Sequence, residues 1–169
     1  MLTYRRSDSL EIEGYSDSAF AGEMDDRKST SVYVFTLAGG AISWKSSKQG
    51  VTASSMMYAE CVACYETSAQ VKWVKKFISR LKVVDSIEKP LKMYYDNEPA
   101  EFYAHNNKSS GAAKYIDIKF YVIKEQIQDQ TISLEHVSTK KMLADPLTKG
   151  LPPNVFREHL AGMGLRESL

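Results

Sequence analysis

The feature that most limits the possible folds is a long segment without glycine or proline that follows three short β-type segments. It covers residues 54–81, and its apolar residues recur at the three- and four-residue spacing of an α-helix. The apolar face expected from this spacing comprises Ala59, Val62, Ala63, Ala69, Trp73, Phe77 and Leu81. We therefore predict one long helix that packs its apolar face on a sheet.

The residues before this helix have the pattern of an antiparallel meander. Residues 10–16 alternate and then run apolar, residues 31–37 are rich in β-branched and aromatic side chains, and residues 41–45 would pair back on them. Gly39 and Gly40 supply the positive φ angles that a tight hairpin turn needs. Three consecutive antiparallel strands are predicted.

Two more strands and a second helix are predicted after the long helix. Residues 91–95 and 131–137 have strand composition, and residues 116–128 have helical spacing. The predicted fold is therefore an α/β fold with a five-stranded mixed sheet, made of the three-strand antiparallel meander and two further strands, flanked by helices. We expect a single domain over residues 1–169, with a core at about 10–149.

The C-terminal part should be helical but interrupted. Thr139 is a candidate N-cap, yet Pro146 lacks an amide hydrogen and its ring would clash with the carbonyl of Met142. A break is therefore expected near Asp145. A short docking helix at about 154–163 would end at Gly164.

The overall composition excludes several classes of protein. With 43% hydrophobic and 25% charged residues, it is typical of a globular domain, and the net charge of +1 demands no nucleic-acid partner. No apolar run approaches the roughly 18 residues of a membrane span. The charged N-terminal residues are followed by no apolar region of the signal-peptide type. We expect an intracellular protein that does not associate with a membrane.

The two cysteines, Cys61 and Cys64, lie within the predicted long helix. A zinc ribbon would need a second cysteine pair, and a thioredoxin-like pair would begin a helix after a strand. We interpret both as buried or half-buried helix thiols without a redox role.

Four acidic residues have surroundings that favour a shared site: Asp17, Glu60, Asp96 and Asp145. Each of them alone would be read as a solvated or capping residue. If they converge, their mutual repulsion requires cations, and hard divalent ions such as Mg²⁺ prefer oxygen ligands. Two such ions can stabilise the attacking and leaving oxygens of a phosphodiester. The acids therefore favour a metal-dependent nuclease.

Short segments in a fixed order give the chain a recognisable family likeness. They are Gly-Tyr-Ser-Asp at 14–17, Phe-Ala-Gly at 20–22, the polar run 25–31, Gly-Gly-Ala-Ile-Ser-Trp-Lys at 39–45, Ala-Glu at 59–60, Tyr-Asp-Asn at 95–97, Lys114 with residues 116–119, and Leu-Ala-Asp-Pro-Leu-Thr-Lys at 143–149. In this order, from about residue 10 to 165, the chain resembles the ribonuclease H domain of copia-type LTR-retrotransposon polyproteins.

This resemblance implies an endoribonuclease that degrades the RNA strand of RNA–DNA hybrids with two Mg²⁺ or Mn²⁺ ions. Asp17 matches the acid that bridges both ions, Glu60 and Asp96 match acids on the substrate side, and Asp145 matches the acid that holds the ion activating water. The implied partners are an RNA–DNA hybrid and the reverse-transcriptase portion of a polyprotein. The implied location is the cytoplasm or a virus-like particle, with the nucleus as another possibility.

Several polar and basic residues are candidates for nucleic-acid contacts. Asn97, next to Asp96, is a candidate contact to the sugar–phosphate backbone. The candidate phosphate contacts are Lys45, Lys48, Lys72, Lys75 and Lys76. A solvated basic face is the alternative interpretation of these lysines, since such pairing is non-specific.

Several histidine and aromatic residues are expected to have structural roles. We expect His136 to be packed or on the surface rather than catalytic, and His105 and His159 to lie on the surface. Trp44, Trp73 and Phe77 are expected in the core rather than as platforms that stack on bases.

Six positions depart from the pattern of the family. Ala19 stands where the family has an acid, Val32 where it has a glycine, and Tyr58 where it has a glutamate. Cys61 replaces an aromatic residue, Tyr95 a cysteine and Tyr115 a histidine. None removes one of the four acids, but Tyr58 and Cys61 flank Glu60, where side-chain orientation decides whether the carboxylate reaches a metal. The alternative function is therefore a catalytically impaired remnant that binds nucleic acid or protein.

Overall fold

Five strands form a single mixed sheet in this computed structural model, which describes residues 1–6, 10–20, 27–82, 89–96 and 113–166. The strands are β1 (Ile12–Ala19), β2 (Thr30–Leu37), β3 (Gly40–Lys48), β4 (Leu91–Tyr95) and β5 (Ile132–His136). Their order across the sheet is β3-β2-β1-β4-β5. The first three pair in antiparallel fashion, whereas β4 runs parallel to β1 and β5 parallel to β4. The predicted five-stranded mixed sheet with its antiparallel meander is confirmed.

The hairpin between β2 and β3 turns one residue earlier than predicted. Its central residues are Ala38 and Gly39, with φ angles of 52° and 70°. Positive φ at both positions matches the right-handed twist of the flanking strands. Gly40 instead opens β3, where a Cβ atom would lie 2.6 Å from the ring of Tyr4. Its missing side chain therefore serves close packing rather than the turn.

Within the part of the chain that the structure describes, three helices pack on the sheet: α1 (Met56–Leu81), α2 (Ala113–Gln128) and α3 (Pro153–Gly162). The hydroxyl of Ser55 caps the start of α1 by accepting a hydrogen bond from the amide of Tyr58 at 3.3 Å. The helix ends at Leu81, and Lys82 caps it in the left-handed conformation with φ of 52°. No helix among the residues described is both long and apolar enough to cross a membrane.

One face of the sheet is covered by α1 and α2. Phe35, Leu91 and Met93 contribute from the strands, and α1 packs against them through a stripe of buried residues. The members of this stripe in the second half of α1 are Thr67, Ser68, Val71, Val74 and Ile78. Small and β-branched side chains on this stripe let the helix lie close to the sheet.

The predicted apolar face of α1 is wrong beyond its first turns. Ala59, Val62 and Ala63 are buried, but Ala69, Trp73, Phe77 and Leu81 are exposed. Trp73 and Phe77 stack on each other at the surface, with ring centroids 5.2 Å apart. Consecutive residues lie about 100° apart around a helix, so Trp73 and Phe77 are about 100° from Val74 and Ile78, respectively, and the aromatic stripe points away from the sheet that the valine stripe contacts. Trp44 on β3 is likewise exposed, contrary to the predicted core position.

The other face of the sheet is covered by the C-terminal segment. Val32, Val34 and Ala41 pack against a cluster that includes Met142 and Met163. Two backbone hydrogen bonds fix this segment to the sheet and the N-terminus, from the amide of Ala41 to the carbonyl of Met163 and from the amide of Thr3 to that of Gly164. The N-terminal residues and the end of α3 therefore close this side of the domain.

The predicted helix beginning at Thr139 does not form. Two single 3₁₀ turns, Thr139–Lys141 and Asp145–Leu147, replace it, because Pro146 interrupts the regular hydrogen bonding. The prediction that His159 lies on the surface is also wrong, since α3 turns it inward to 2% exposure. Burial lowers the pKa of His159 below its ordinary value.

Candidate active site

Two of the predicted acids meet at one edge of the sheet because β1 and β4 are parallel neighbours. Tyr15 of β1 is in register with Tyr94 of β4, so Asp17 and Asp96, two residues further on, come side by side on the same face. Strand β1 does not end before Asp17, as the pattern had suggested. It continues to Ala19, since its last residues pair with the start of β2. Asp96 directly follows β4, as expected.

The third acid is delivered by the interrupted C-terminal segment. Asp145 begins the second 3₁₀ turn and is 1% exposed. Among the residues described, Asp17, Asp96 and Asp145 each offer a carboxylate oxygen, and these oxygens all lie within 4.8 Å of one another. Residues 49 or more positions apart in the chain thus form one compact cluster, which we call the carboxylate trio.

The fourth acid, Glu60, lies beside this trio on the second turn of α1. Its Oε1 atom accepts a hydrogen bond of 2.8 Å from the hydroxyl of Ser18, the residue after Asp17. The start of α1 is fixed to the sheet by Gln49, whose Nε2 donates to the carbonyl of Ala59 at 2.8 Å and to the hydroxyl of Ser31 at 3.0 Å. Glu60 is therefore oriented toward the trio by both the helix and the strand.

The electrostatics of the site are those of crowded, half-desolvated carboxylates. Burial and the charge of Asp17 raise the pKa of Glu60 to about 8, although the hydrogen bond from Ser18 works against this. Burial also raises the pKa of Asp145 to about 6 and, together with the charge of Asp17, raises that of Asp96. The site therefore carries more negative charge than its surroundings stabilise.

Two residues that the sequence patterns missed complete the site. The Lys149 ammonium lies 2.9 Å from Oδ1 of Asp145, 3.5 Å from Oδ2 of Asp17 and 3.8 Å from Oδ2 of Asp96. The hydroxyl of Thr148 donates a hydrogen bond of 2.6 Å to Oδ2 of Asp17. Both follow Asp145 in the segment Leu-Thr-Lys, and the four-residue spacing of Asp145 and Lys149 was the available signal. Burial opposes the charge of Lys149, but the contact with Asp145 and the other acids raises its pKa.

Three of the positions that depart from the family pattern, Val32, Tyr58 and Cys61, are accommodated by packing. Val32 pairs directly with Asp17 on β2 and is fully buried against the C-terminal segment. Tyr58 packs against the core on the α1 side, and Cys61 belongs to that core. None of the three displaces Glu60 from its hydrogen bond with Ser18.

The cysteines fit the predicted role of buried helix thiols, which is confirmed. Both are buried in α1, and neither is in a disulfide. Burial raises the pKa of Cys61 to about 12 and that of Cys64 further, so both thiols stay protonated at neutral pH.

The predicted nucleic-acid contacts are dispersed over the surface. Lys45 and Lys48 are exposed on the edge strand β3, while Lys72 and Lys76 are exposed on α1, about 18 and 24 Å along the helix axis from Glu60. Lys75 donates a hydrogen bond to the carbonyl of Lys89 at 2.9 Å.

Of the remaining polar candidates, one flanks the trio and two lie outside the described residues. His136 was expected to be packed or on the surface, and it is exposed. Its Nε2 lies 3.0 Å from the carbonyl oxygen of Asp96. Asn97 and His105 are outside the residues that the structure describes.

The donor set fits hard divalent cations. It consists of carboxylate oxygens alone, three of them within 4.8 Å of one another and a fourth acid adjacent. Mg²⁺ and Mn²⁺ prefer such oxygen ligands, whereas softer ions prefer sulfur or nitrogen. The excess negative charge of the trio would be balanced by such ions.

The raised pKa of Glu60 predicts how stability depends on pH in the absence of metal. The folded-state pKa of about 8 exceeds the ordinary value of 4.5, so between these pH values the native state holds a proton on Glu60 that the unfolded state has released. The contribution of Glu60 to the free energy of unfolding therefore falls as pH rises from 4.5 to 8. The variant Glu60→Gln removes this titration. We expect its melting temperature in EDTA to gain on that of the original protein as pH rises from 5 to 9. A constant difference across this range would contradict the prediction.

Comparison with known proteins places the chain in a fold class. It superposes on ribonuclease H1 from the archaeon Halobacterium salinarum NRC-1 with a TM-score of 0.53, covering 82% of this chain and 93% of that one at 14% identity. The five-stranded mixed sheet and its helices are those of the ribonuclease H fold. No protein-family model matches the chain.

Two curated relatives are similar to this chain over nearly its whole length. The Retrovirus-related Pol polyprotein from transposon TNT 1-94 of Nicotiana tabacum is 35% identical over 164 residues, and that from transposon RE1 of Arabidopsis thaliana is 31% identical over 161 residues. These matches cover 96% and 95% of this chain but only 12% and 11% of the polyproteins. The chain is thus a ribonuclease H-fold homologue of one segment of plant-transposon Pol polyproteins, and the resemblance to the copia-type ribonuclease H domain is confirmed.

Proposed function

We propose that this chain is a metal-dependent endoribonuclease that hydrolyses the RNA strand of RNA–DNA hybrids. The observation that carries the proposal is the convergence of Asp17, Asp96 and Asp145, whose oxygens lie within 4.8 Å of one another at the carboxyl ends of β1 and β4. The ribonuclease H fold and the homology to transposon Pol polyproteins support the same activity.

The four acids would hold two Mg²⁺ or Mn²⁺ ions. Such ions, when bound, lower the pKa of an attacking water and neutralise the leaving oxygen of a phosphodiester. The protein contributes orientation. Asp17 is held by the amide of Ser18 at 2.8 Å and the hydroxyl of Thr148 at 2.6 Å.

Recognition of a hybrid would depend on contacts outside the acids. Ribose 2′-hydroxyls and phosphates in a wide minor groove distinguish such a duplex from DNA. Phosphates would be contacted by the exposed Lys45, Lys48, Lys72 and Lys76. The electrostatic attraction between these lysines and the phosphates would weaken as the salt concentration rises. The reverse-transcriptase portion of a polyprotein is proposed as the natural neighbour of the domain, since the curated relatives are such polyproteins.

A cleavage assay with matched substrates tests the proposal. The purified chain is incubated with a labelled RNA–DNA hybrid, with the same RNA as a single strand and with the matching DNA duplex, each in Mg²⁺, Mn²⁺ or EDTA. We expect cleavage of the RNA strand in the hybrid alone, and only with metal. Binding of the hybrid without turnover in either metal would favour the impaired remnant instead. Equal cleavage of single-stranded RNA would contradict hybrid specificity.

The hydrogen bond from Ser18 to Glu60 gives a prediction about positioning. Ser18→Ala removes the hydroxyl that orients the carboxylate at 2.8 Å, while leaving all four acids in place. Loss of such supporting bonds costs about 10- to 100-fold in metal affinity or activity. We expect a fall of that size in hybrid cleavage, measured as the initial rate at subsaturating Mg²⁺. Ser79→Ala, on the exposed end of α1, serves as the matched control and should leave the rate unchanged.

A further inference from the structure

The carboxylate trio already contains one cation, and that cation belongs to the chain. The Lys149 ammonium is within 4 Å of an oxygen from each of the three acids, at 2.9, 3.5 and 3.8 Å. Its shortest contact is with Asp145, the first residue of the 3₁₀ turn Asp145–Leu147, which lies four residues before Lys149. One side chain therefore contacts all three members of the proposed metal site.

The three acids are buried more deeply than the lysine that contacts them, which leaves the lysine side chain free to move. The side chains of Asp17 and Asp145 are 1% exposed and that of Asp96 is 9% exposed, whereas that of Lys149 is 43% exposed. The acids are held by the sheet and by Ser18 and Thr148, but the lysine enters from solvent on a flexible four-carbon stem. Rotation of this stem would return the ammonium to water without a change in the backbone.

Divalent ions and the ammonium would use the same oxygens. A carboxylate oxygen that coordinates a metal has less charge to offer an ammonium, and two cations a few ångströms apart in a half-buried site repel strongly. The trio therefore cannot hold its full complement of ions while Lys149 keeps all three contacts.

We propose that Lys149 is a resident counter-ion of the trio, which fills the site in the metal-free protein, is displaced by divalent ions, and thereby sets the metal concentration at which the site fills. This inference rests on the proposed function, because it assumes that the acids bind metal. It adds a role for a residue outside the four acids. Under this role, loss of the lysine makes metal binding tighter, whereas loss of a supporting residue makes it weaker.

The first experiment measures Mn²⁺ binding to the intact chain by the loss of the free-ion electron paramagnetic resonance signal. The variants are Lys149→Met, which keeps the stem without the charge, and Lys149→Arg, which keeps the charge. Lys140→Met, at an exposed position outside the trio, is the matched control. We expect Lys149→Met to bind Mn²⁺ about tenfold more tightly than the original protein, and Lys149→Arg and Lys140→Met to bind within about threefold of it.

The second experiment uses the original protein and so does not depend on how a variant folds. Lysines are acetylated briefly with an N-hydroxysuccinimide ester, with and without saturating Mg²⁺, and each site is quantified by mass spectrometry. Displacement into solvent predicts that Mg²⁺ raises the acetylation of Lys149 several-fold relative to Lys140. Unchanged or reduced acetylation of Lys149 would overturn the inference.

The outcomes separate this inference from the proposed function. If the original protein binds Mn²⁺ and Lys149→Met binds it equally or more weakly, the counter-ion role is wrong while the metal site stands. If neither the original protein nor Lys149→Met binds Mn²⁺ or Mg²⁺, both the inference and the proposed function are wrong. Tighter binding by Lys149→Met alone supports both.

Discussion

Replacement of Asp17 by asparagine should abolish metal-dependent cleavage of the RNA–DNA hybrid, with a loss of at least about 10³-fold in rate, or about 4 kcal/mol of transition-state stabilisation. Asp17 contacts three other residues of the site: its Oδ1 accepts from the amide of Ser18, and its Oδ2 accepts from Thr148 and lies 3.5 Å from Lys149. An asparagine preserves the shape but removes the charge. Only one of its two side-chain termini can accept a hydrogen bond, so a donor at the other loses its partner.

The matched control for this variant is Asp129→Asn, at an exposed position beyond the end of α2. Both variants are compared in initial rate of RNA-strand cleavage at saturating Mg²⁺, after circular dichroism has shown that each is folded. Asp129→Asn should retain the original rate. Metal-dependent cleavage that survives in a folded Asp17→Asn protein would mean that the hydrolytic site lies elsewhere or that a contaminating nuclease is being measured.

The convergence of Asp17 and Asp96 was accessible from the sequence because it depends on a rule of sheet geometry. Each follows or ends a short apolar run, and a long helix between two such runs allows them to be parallel neighbours. The position of Asp145 was harder to predict from the sequence. A proline inside a helical pattern predicts a break, but not the direction in which the chain continues, and the family likeness supplied that direction.

Lys149 and Thr148 were not predicted because their roles arise only after the chain is folded. A lysine four residues after an aspartate is usually a solvent-exposed helix pair of small energetic consequence. Here the 3₁₀ turn at Asp145–Leu147 places the pair against Asp17 and Asp96 instead, which come from distant segments of the chain. Periodicity carries no information about such a meeting of separate segments.

The wrong face of α1 has a different physical origin. In residues 67–81 two stripes compete, one aromatic through Trp73 and Phe77 and one aliphatic through Val74 and Ile78, and both have helical spacing. Weighing side chains by size favours the aromatic stripe. The sheet selects the aliphatic one, because branched side chains of moderate size allow close approach to Phe35, Leu91 and Met93.

The two stripes can be told apart by a pair of adjacent truncations. Ile78 is 2% exposed, and replacing it by alanine removes packed methyl groups and leaves a cavity, so we expect a loss of about 2–5 kcal/mol in the free energy of unfolding. Phe77 is 47% exposed, and Phe77→Ala removes a larger side chain but chiefly a surface ring stack, worth about 0.5–1.5 kcal/mol.

Urea denaturation of both variants, followed by circular dichroism, gives the comparison directly. Ile78→Ala should unfold at clearly lower urea than Phe77→Ala, although it deletes fewer atoms, and Val74→Ala against Trp73→Ala should give the same order. If the aromatic truncations were the more destabilising, the helix would be rotated from the orientation described here. Glu60, which the same helix presents to the carboxylate trio, would then also be turned away from Ser18. The stability measurement therefore tests the orientation on which the acidic site depends, without any substrate or metal.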